Sequence, residues 1–298
     1  MEYLPLPLPP LPALLALFSA VSLGVGLIFI RLGLREGTPL VASITTNATL
    51  TLVGALLALA TGAFARTPPE TIFWFILVGL CNPSFGRFLE ILGYRLVGLA
   101  RSNALAASAP IMSVGFAAAF LGERPGGWVV AGAVAIAAGV ALVSWPAAPE
   151  RGRDWRPLFL LVPLAGAVGY SIAPVFAKTG MTLGGPVPVA MLITFGTGTV
   201  MVSLFSPFFR PEDRFRASRK SLLLYMTGGL VNSAGSYALW SAIHLGEVSV
   251  AIPLSRTSPL FVLLFSQLFL GRLERVSALL AAGAALIVLG GALIAGMR

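Results

Sequence analysis

Few charged side chains fall inside the apolar stretches of this chain, and three of them stand where recognition chemistry could take place: Arg87, Glu90 and Arg256. Arg87, Glu90 and Tyr94 succeed one another at spacings of three and four, so a helix would put them on one face. An isolated charge at membrane depth costs about 2.5–3.5 kcal/mol on insertion scales, so such groups face a partner or a watery cavity. The chemistry on offer is recognition of a polar solute. A guanidinium suits a carboxylate or phosphate, and a carboxylate suits an ammonium or a proton. The stretch that carries the first pair, CNPSFGRFLEILGY, ends at Tyr94 and has a counterpart 150 residues on. There Asn232 answers Asn82, while Tyr237, Trp240 and His244 answer Arg87, Glu90 and Tyr94. Both stretches open with Gly-Leu-x-Asn. The candidate lining of a substrate site is therefore Asn82, Arg87, Glu90, Tyr94, Asn232, Tyr237, Trp240, His244 and Arg256. The plainer alternative for the first pair is an Arg87–Glu90 salt bridge that only holds helices together.

Each group has such a plain reading. Arg256 lies in an unusually polar run, Ser255 to Pro259, with no partner at helical spacing, so a ligand anion would complete it. Otherwise it snorkels or meets Glu247 or Glu274. Trp240, Tyr237 and Tyr94 could stack on a ring or a cation, or simply pack. His244 could carry a proton or cap a helix end. Glu90 is the only carboxylate well inside a span, which makes it the proton-carrier candidate. Glu123 and Glu274 sit at matching turns and are expected to cap the N-terminus of the next helix.

The elements that hold these residues are set by composition. The 298 residues are 57 % hydrophobic and only 10 % charged, with mean hydropathy +0.92. A soluble domain carries roughly 25 % charged residues, so the chain is an integral membrane protein. The net charge of +9 would suggest nucleic acid in a soluble protein. Here the basic residues sit in short connections between apolar spans, where lipid headgroups favour them, and no nucleic-acid partner is expected. One cysteine, Cys81, and one histidine leave no intrachain disulfide, no Cys/His metal set and no cofactor site. The proline-rich start reads as an extended leader, 1–11, without the basic region of a signal peptide.

A bilayer core takes about 20 apolar residues per helix. Ten segments reach that length, near 12–34, 39–61, 71–94, 99–121, 127–145, 157–180, 186–208, 221–244, 248–270 and 276–296. Pro83 and Gly86 interrupt the third, and Pro253 and Pro259 the ninth. Interrupted spans free backbone groups that can line a cavity. Residues 20–39 lie over 167–186, with Gly33 on Gly180 and Pro39 on Pro186. The third span lies over the eighth. The fourth lies over the ninth, with Pro110 on Pro259. After a short insertion Glu123 meets Glu274 and Gly132 meets Gly283. The chain thus reads as two five-helix repeats, 12–145 and 157–296, joined by a linker, 146–156. Five is odd, so the second copy enters the membrane from the opposite side: an all-α fold of ten transmembrane helices in two inverted repeats. Small residues Ala131, Ala135 and Gly139, with Ala278 and Ala282 in the second copy, suggest close helix contact within a monomer or across a homodimer.

The runs APIMSVGFAAAFLGERPGGWVVAGAVAIAAGVAL and SPLFVLLFSQLFLGRLERVSALLAAGAALIVLGGAL resemble the repeat ends of the drug/metabolite transporter superfamily, EamA type. In that family a proline-containing span runs into Leu-Gly-Glu and a Gly-rich final helix. The resemblance covers about residues 12–296. It implies ten helices with both termini in the cytoplasm, and export of small organic solutes such as amino acids or drugs. One departure stands out. Members that resemble the small four-helix multidrug exporters carry a proton-exchanging glutamate in the first helix, whereas neither 12–34 nor its mate 157–180 has a carboxylate in its interior.

The expected function is a secondary transporter of small metabolites, amino acids or related carboxylates, working by alternating access in the inner cell membrane. A multidrug or cation exporter of the same fold is the alternative, and a channel is a more distant one. No catalytic constellation points to an enzyme. Orientation has two readings. Fourteen Arg and Lys residues come after the odd-numbered spans and four lie on the terminus side, which by the positive-inside rule places the termini outside. The resemblance implies the reverse.

Overall fold

The structure is a computed structural model and describes residues 10–144, 156–208, 216–270 and 278–296. Most of the 1–11 leader and of the 146–156 linker lies outside the described residues, as do Glu274 and Arg275. The described chain is helical throughout, apart from short turns and one isolated bridge, Gly37 to Ala217. In order the helices are α1 (Leu11–Gly33), α2 (Pro39–Ala60), α3 (Pro69–Gly79), α4 (Arg87–Leu96), α5 (Leu99–Ala106), α6 (Ala109–Leu121), α7 (Gly127–Val143), α8 (Leu161–Thr182), α9 (Val187–Leu204), α10 (Arg219–Leu245), α11 (Val248–Ser255), α12 (Ser258–Leu270) and α13 (Ala278–Gly296).

Among the described residues thirteen helices make ten spans, because three spans are each built in two pieces. A π-helical turn, Leu80–Gly86, joins α3 to α4 and contains Pro83. The α5/α6 and α11/α12 spans each break four residues before a proline. Pro110 excludes the carbonyl of Ala106, where α5 ends, and Pro259 excludes that of Ser255, where α11 ends. Pro253 causes no break and lies inside α11. Among the described residues eight spans are long and apolar enough to cross a membrane; α7 is apolar but has 17 residues. The tenth, α10, is less apolar because its buried face carries Asn232, Ser233 and Ser236. Its 27 residues still reach about 40 Å, more than a bilayer core.

The inverted repeat is visible in how mates pack. A Cβ on Gly139 of α7 would lie 2.6 Å from the Gly283 carbonyl of α13, and one on Gly132 would lie 2.7 Å from that of Gly290. Moving up one helix moves down the other, so the two run antiparallel. Gly132 and Gly283 are repeat mates, as are Gly139 and Gly290. Each contact is therefore the image of the other, which requires a two-fold axis crossing the helices. The same opposed progression joins α1 to α10, where Gly33 faces Tyr225 and Gly235 faces Ser22. It recurs in their mates: α8 runs against α3 and α4, with Gly180 facing Phe75 and Gly93 facing Pro163. Parallel copies would give parallel pairs. The closely packed α7 face is Gly132–Ile136–Gly139, and its partner face is Gly283–Ile287–Gly290. Ala131 and Ala282 of the expected stripe are exposed, and the side chain of Ala278 is outside the described residues.

The Leu121-Gly122-Glu123 turn does not cap the next helix. Gly122, with φ +67°, ends α6 in the left-handed region that favours glycine. Glu123 then reaches across to the other repeat. Its Oε1 and Oε2 accept hydrogen bonds from the backbone N–H groups of Val248 and Ser249 at 2.8 and 2.9 Å. It caps α11 rather than the adjacent α7. An anionic acceptor there complements the positive end of the α11 dipole.

Candidate functional site

A cavity of about 320 Å³ lies between the two repeats. That is near the lower end of the small-molecule range of roughly 300–1,000 Å³. It is walled by α1, α2, the π-helical turn, α8, α9, α10 and the α11/α12 break. Four of the residues singled out by sequence line it: Asn82, Asn232, Trp240 and Arg256. Asn82 sits in the π-helical turn itself. That turn's backbone is held locally, with the Ser84 hydroxyl donating to the Gly79 carbonyl at 2.6 Å. Trp240 is 6 % exposed and forms an aromatic floor with Phe75 and Phe195, at ring separations of 6.3 and 6.4 Å.

Arg256 occupies the break between α11 and α12. The neighbouring hydroxyls serve the backbone there. Ser255 donates to the Ile252 carbonyl at 2.8 Å, and Thr257 to the Leu254 carbonyl at 2.7 Å. These two hydroxyls thus satisfy carbonyls near the break, while Arg256 itself lines the cavity. Its guanidinium carbon lies 5.7 Å from the centre of the Tyr170 ring. It forms no ion pair among the described residues.

Glu90, Arg87 and Tyr94 gather behind the cavity wall. Glu90 accepts from Arg87 Nη1 at 3.0 Å, from Tyr94 Oη at 2.7 Å and from Tyr170 Oη at 2.9 Å. The Arg87–Glu90 salt bridge that the spacing suggested is therefore present, and Arg87 keeps a half-exposed side chain. Three donors on one carboxylate take most of its acceptor capacity. Tyr170 joins this network to the cavity: its hydroxyl holds Glu90, and its ring, which lines the cavity, faces Arg256.

Tyr170 is the residue that sequence reasoning missed. Its repeat mate, Leu23, is apolar, and a lone tyrosine in an apolar helix gives no signal of its own. Close backbone approach puts it in reach. A Cβ on Gly169 would lie 2.7 Å from the Cys81 carbonyl, and one on Gly86 would lie 3.3 Å from the Tyr170 ring. Glycines on both sides let α8 press into the π-helical turn, a kind of turn found often at functional sites. Ser19 and Thr46 are further lining residues without a sequence signal. Each has a buried hydroxyl with no partner among the described residues.

Two sequence candidates are placed elsewhere. Tyr237 is 43 % exposed on the outer side of α10. His244 is exposed at the end of that helix, and its backbone carbonyl accepts from Lys178 at 3.0 Å. Neither is among the lining residues. No group of His, Cys, Asp and Glu able to hold a metal ion occurs among the described residues.

Comparison with known proteins bears on the whole architecture. One protein solved by crystallography shares the fold, with TM-score 0.76 at 23 % identity, over 94 % of this chain and 95 % of its own. Among curated proteins no relative matches the chain. A family model, the EamA-like transporter family, matches residues 10–145 and again residues 157–296. With that pattern read once over each five-helix half, the chain belongs to the EamA-like transporter family and is a multi-pass membrane transporter of small molecules.

Proposed function

We propose that this transporter moves a small carboxylate-bearing solute, most simply an amino acid, across the inner cell membrane by alternating access of its two inverted halves. The observation that carries the reading is Arg256. A guanidinium lines the central cavity against an aromatic face and has no carboxylate on it among the described residues. Glu90, the nearest internal carboxylate, is already held by three donors. A ligand carboxylate completes Arg256 with two parallel hydrogen bonds, which an ammonium in its place could not match. Asn82 and Asn232 supply further polar contacts, and Trp240 offers an apolar wall. The protein acts as a monomer or homodimer in the bilayer, without nucleic acid, metal or cofactor.

The test is binding of an amino acid and of its methyl ester to the purified protein and to Arg256→Ala. The wild type should prefer the free carboxylate. Loss of a charged hydrogen bond, about 1.5–3 kcal/mol, should weaken that binding on the order of 10–100-fold in the variant and leave the ester unaffected. Arg256→Lys should recover only part. Equal binding of acid and ester by the wild type would sink the reading. The aromatic faces of Tyr170 and Trp240 favour one other substrate, an organic cation. In that case a quaternary ammonium ligand binds and Arg256→Ala strengthens its binding.

A further inference from the structure

The two repeats are alike in sequence but not in how their first helices pack, and the difference marks one face of the membrane. Helix α8 packs on α10 and α11 of its own half as well as on α3 to α6 of the other. Its mate α1 packs on α10, α11 and α12 and has no matching packing on α4 or α5 among the described residues. The additional contact of α8 is made at its terminus-side end. There Lys178 Nζ donates to the carbonyls of Ile243, His244 and Gly246 at 2.7, 3.0 and 2.9 Å. Those are the last acceptors of α10, where the helix dipole is negative. One turn on, Glu123 holds the first N–H groups of α11. Two opposite charges from two other elements thus grip both sides of the Leu245–Glu247 connection, below the Phe75–Trp240–Phe195 floor. Arg31, the repeat mate of Lys178, is exposed and has no hydrogen-bonding partner among the described residues.

We propose that Lys178, assisted by Glu123, is the latch that closes the terminus side of the cavity, and that Arg31 is its counterpart for the opposite side. The proposal rests on the alternating-access reading above. In an inverted-repeat carrier the two halves exchange conformations between states. When the terminus side opens, Lys178 gives up the end of α10, and Arg31 takes the equivalent carbonyls at the end of α4, around Gly93 and Tyr94. A Lys or Arg at this position is suited to the task because each carries several donors on a flexible stem. The charge is spent on backbone carbonyls and not on substrate, which explains why it belongs at the rim and not in the cavity.

The experiment uses the full-length protein in liposomes with Cys81→Ser and a single reporter, Ser258→Cys, on the cavity wall. A membrane-impermeant maleimide is applied from one face at a time. Lys178→Met removes the donors and keeps the stem. It should raise labelling from the terminus side by at least about tenfold and lower it from the other side, since all three charged hydrogen bonds are lost and each is worth on the order of a factor of ten. Lys178→Arg should restore the wild-type ratio. Arg31→Met should shift the ratio the opposite way. Glu123→Gln should act like Lys178→Met, with faster amide hydrogen exchange at Val248 and Ser249, and it serves if Lys178→Met fails to fold. If labelling switches sides with ligand in the wild type but none of the variants moves the ratio, the latch is wrong and alternating access stands. If the wild type labels equally from both faces with and without ligand, the underlying reading fails, and the latch with it.

Discussion

Glu90 shows how little a charge at membrane depth says about its role until its partners are known. The sequence offers it as a proton carrier or as half of a salt bridge. The structure gives it Arg87, Tyr94 and Tyr170 together, an arrangement that makes the carboxylate an organising centre. Tyr170 then becomes the informative position, because it bonds Glu90 and, through its ring face, meets Arg256. Tyr170→Phe keeps the ring and removes the donor. Carboxylate binding should weaken roughly tenfold or less, short of the loss in Arg256→Ala, since the guanidinium stays but its ring support is no longer tethered. Tyr170→Leu removes the face as well and should approach Arg256→Ala. Titration calorimetry on the three variants gives the ranking, and Tyr170→Phe weakening binding more than Arg256→Ala would refute the positioning role.

At the scale of elements, glycine and proline set the geometry. The prolines at 110 and 259 place matching breaks in the fourth and ninth spans, and the second break presents Arg256. Glycine decides which helices meet closely. The α7/α13 pair depends on Gly132, Gly139, Gly283 and Gly290, with backbone atoms where a side chain would need to go. Gly139→Ala would put its methyl 2.6 Å from the Gly283 carbonyl. It should destabilise by about 1–3 kcal/mol, the usual cost of overpacking. Ala131→Val, on the exposed side of the same helix, should cost little. Thermal unfolding in one detergent compares the two, and equal losses would mean that the antiparallel glycine contact carries no weight. The offset that pairs Tyr237 and Trp240 with Arg87 and Glu90 shows where repeat matching stops short. The π-helical turn of the first copy is wider than an α-helical one, and it rotates α4 on the order of 100° relative to the straight α10. Equivalent sequence positions therefore point in different directions: Glu90 towards α8, Trp240 into the cavity, and Tyr237 outward.

For the whole molecule, the question is what drives transport. The first helices of both repeats lack a carboxylate in their interiors, and Glu90 is engaged on three sides. Uptake into liposomes should therefore persist without a pH gradient, and Glu90→Gln should lower it through loss of the network rather than by uncoupling. A strong dependence on the gradient that survives Glu90→Gln would count against this account. Much of the molecule is legible in one dimension. Span length and apolarity are local properties, and the repeat is a comparison of the chain with itself, so the membrane class, the ten spans and, through the odd number five, the inversion all come without coordinates. The family likeness rests on the same contiguous runs. The site is legible only in part. Arg256, Asn82, Asn232 and Trp240 can be named because polar or interrupted residues in a span are costly and so stand out. Tyr170, Ser19 and Thr46 cannot, because an amphipathic or hydroxyl side chain is cheap anywhere in a helix. What turns them inward is the close approach of α8 to the π-helical turn, of α1 to α10 and of α2 to α9 and α10, set by glycines on distant helices at once. The partner of Glu123 in the other repeat, and the grip of Lys178 on α10, are settled in the same way. Both depend on which helix ends meet across the bundle, a relation between segments far apart in the chain that only tertiary packing fixes.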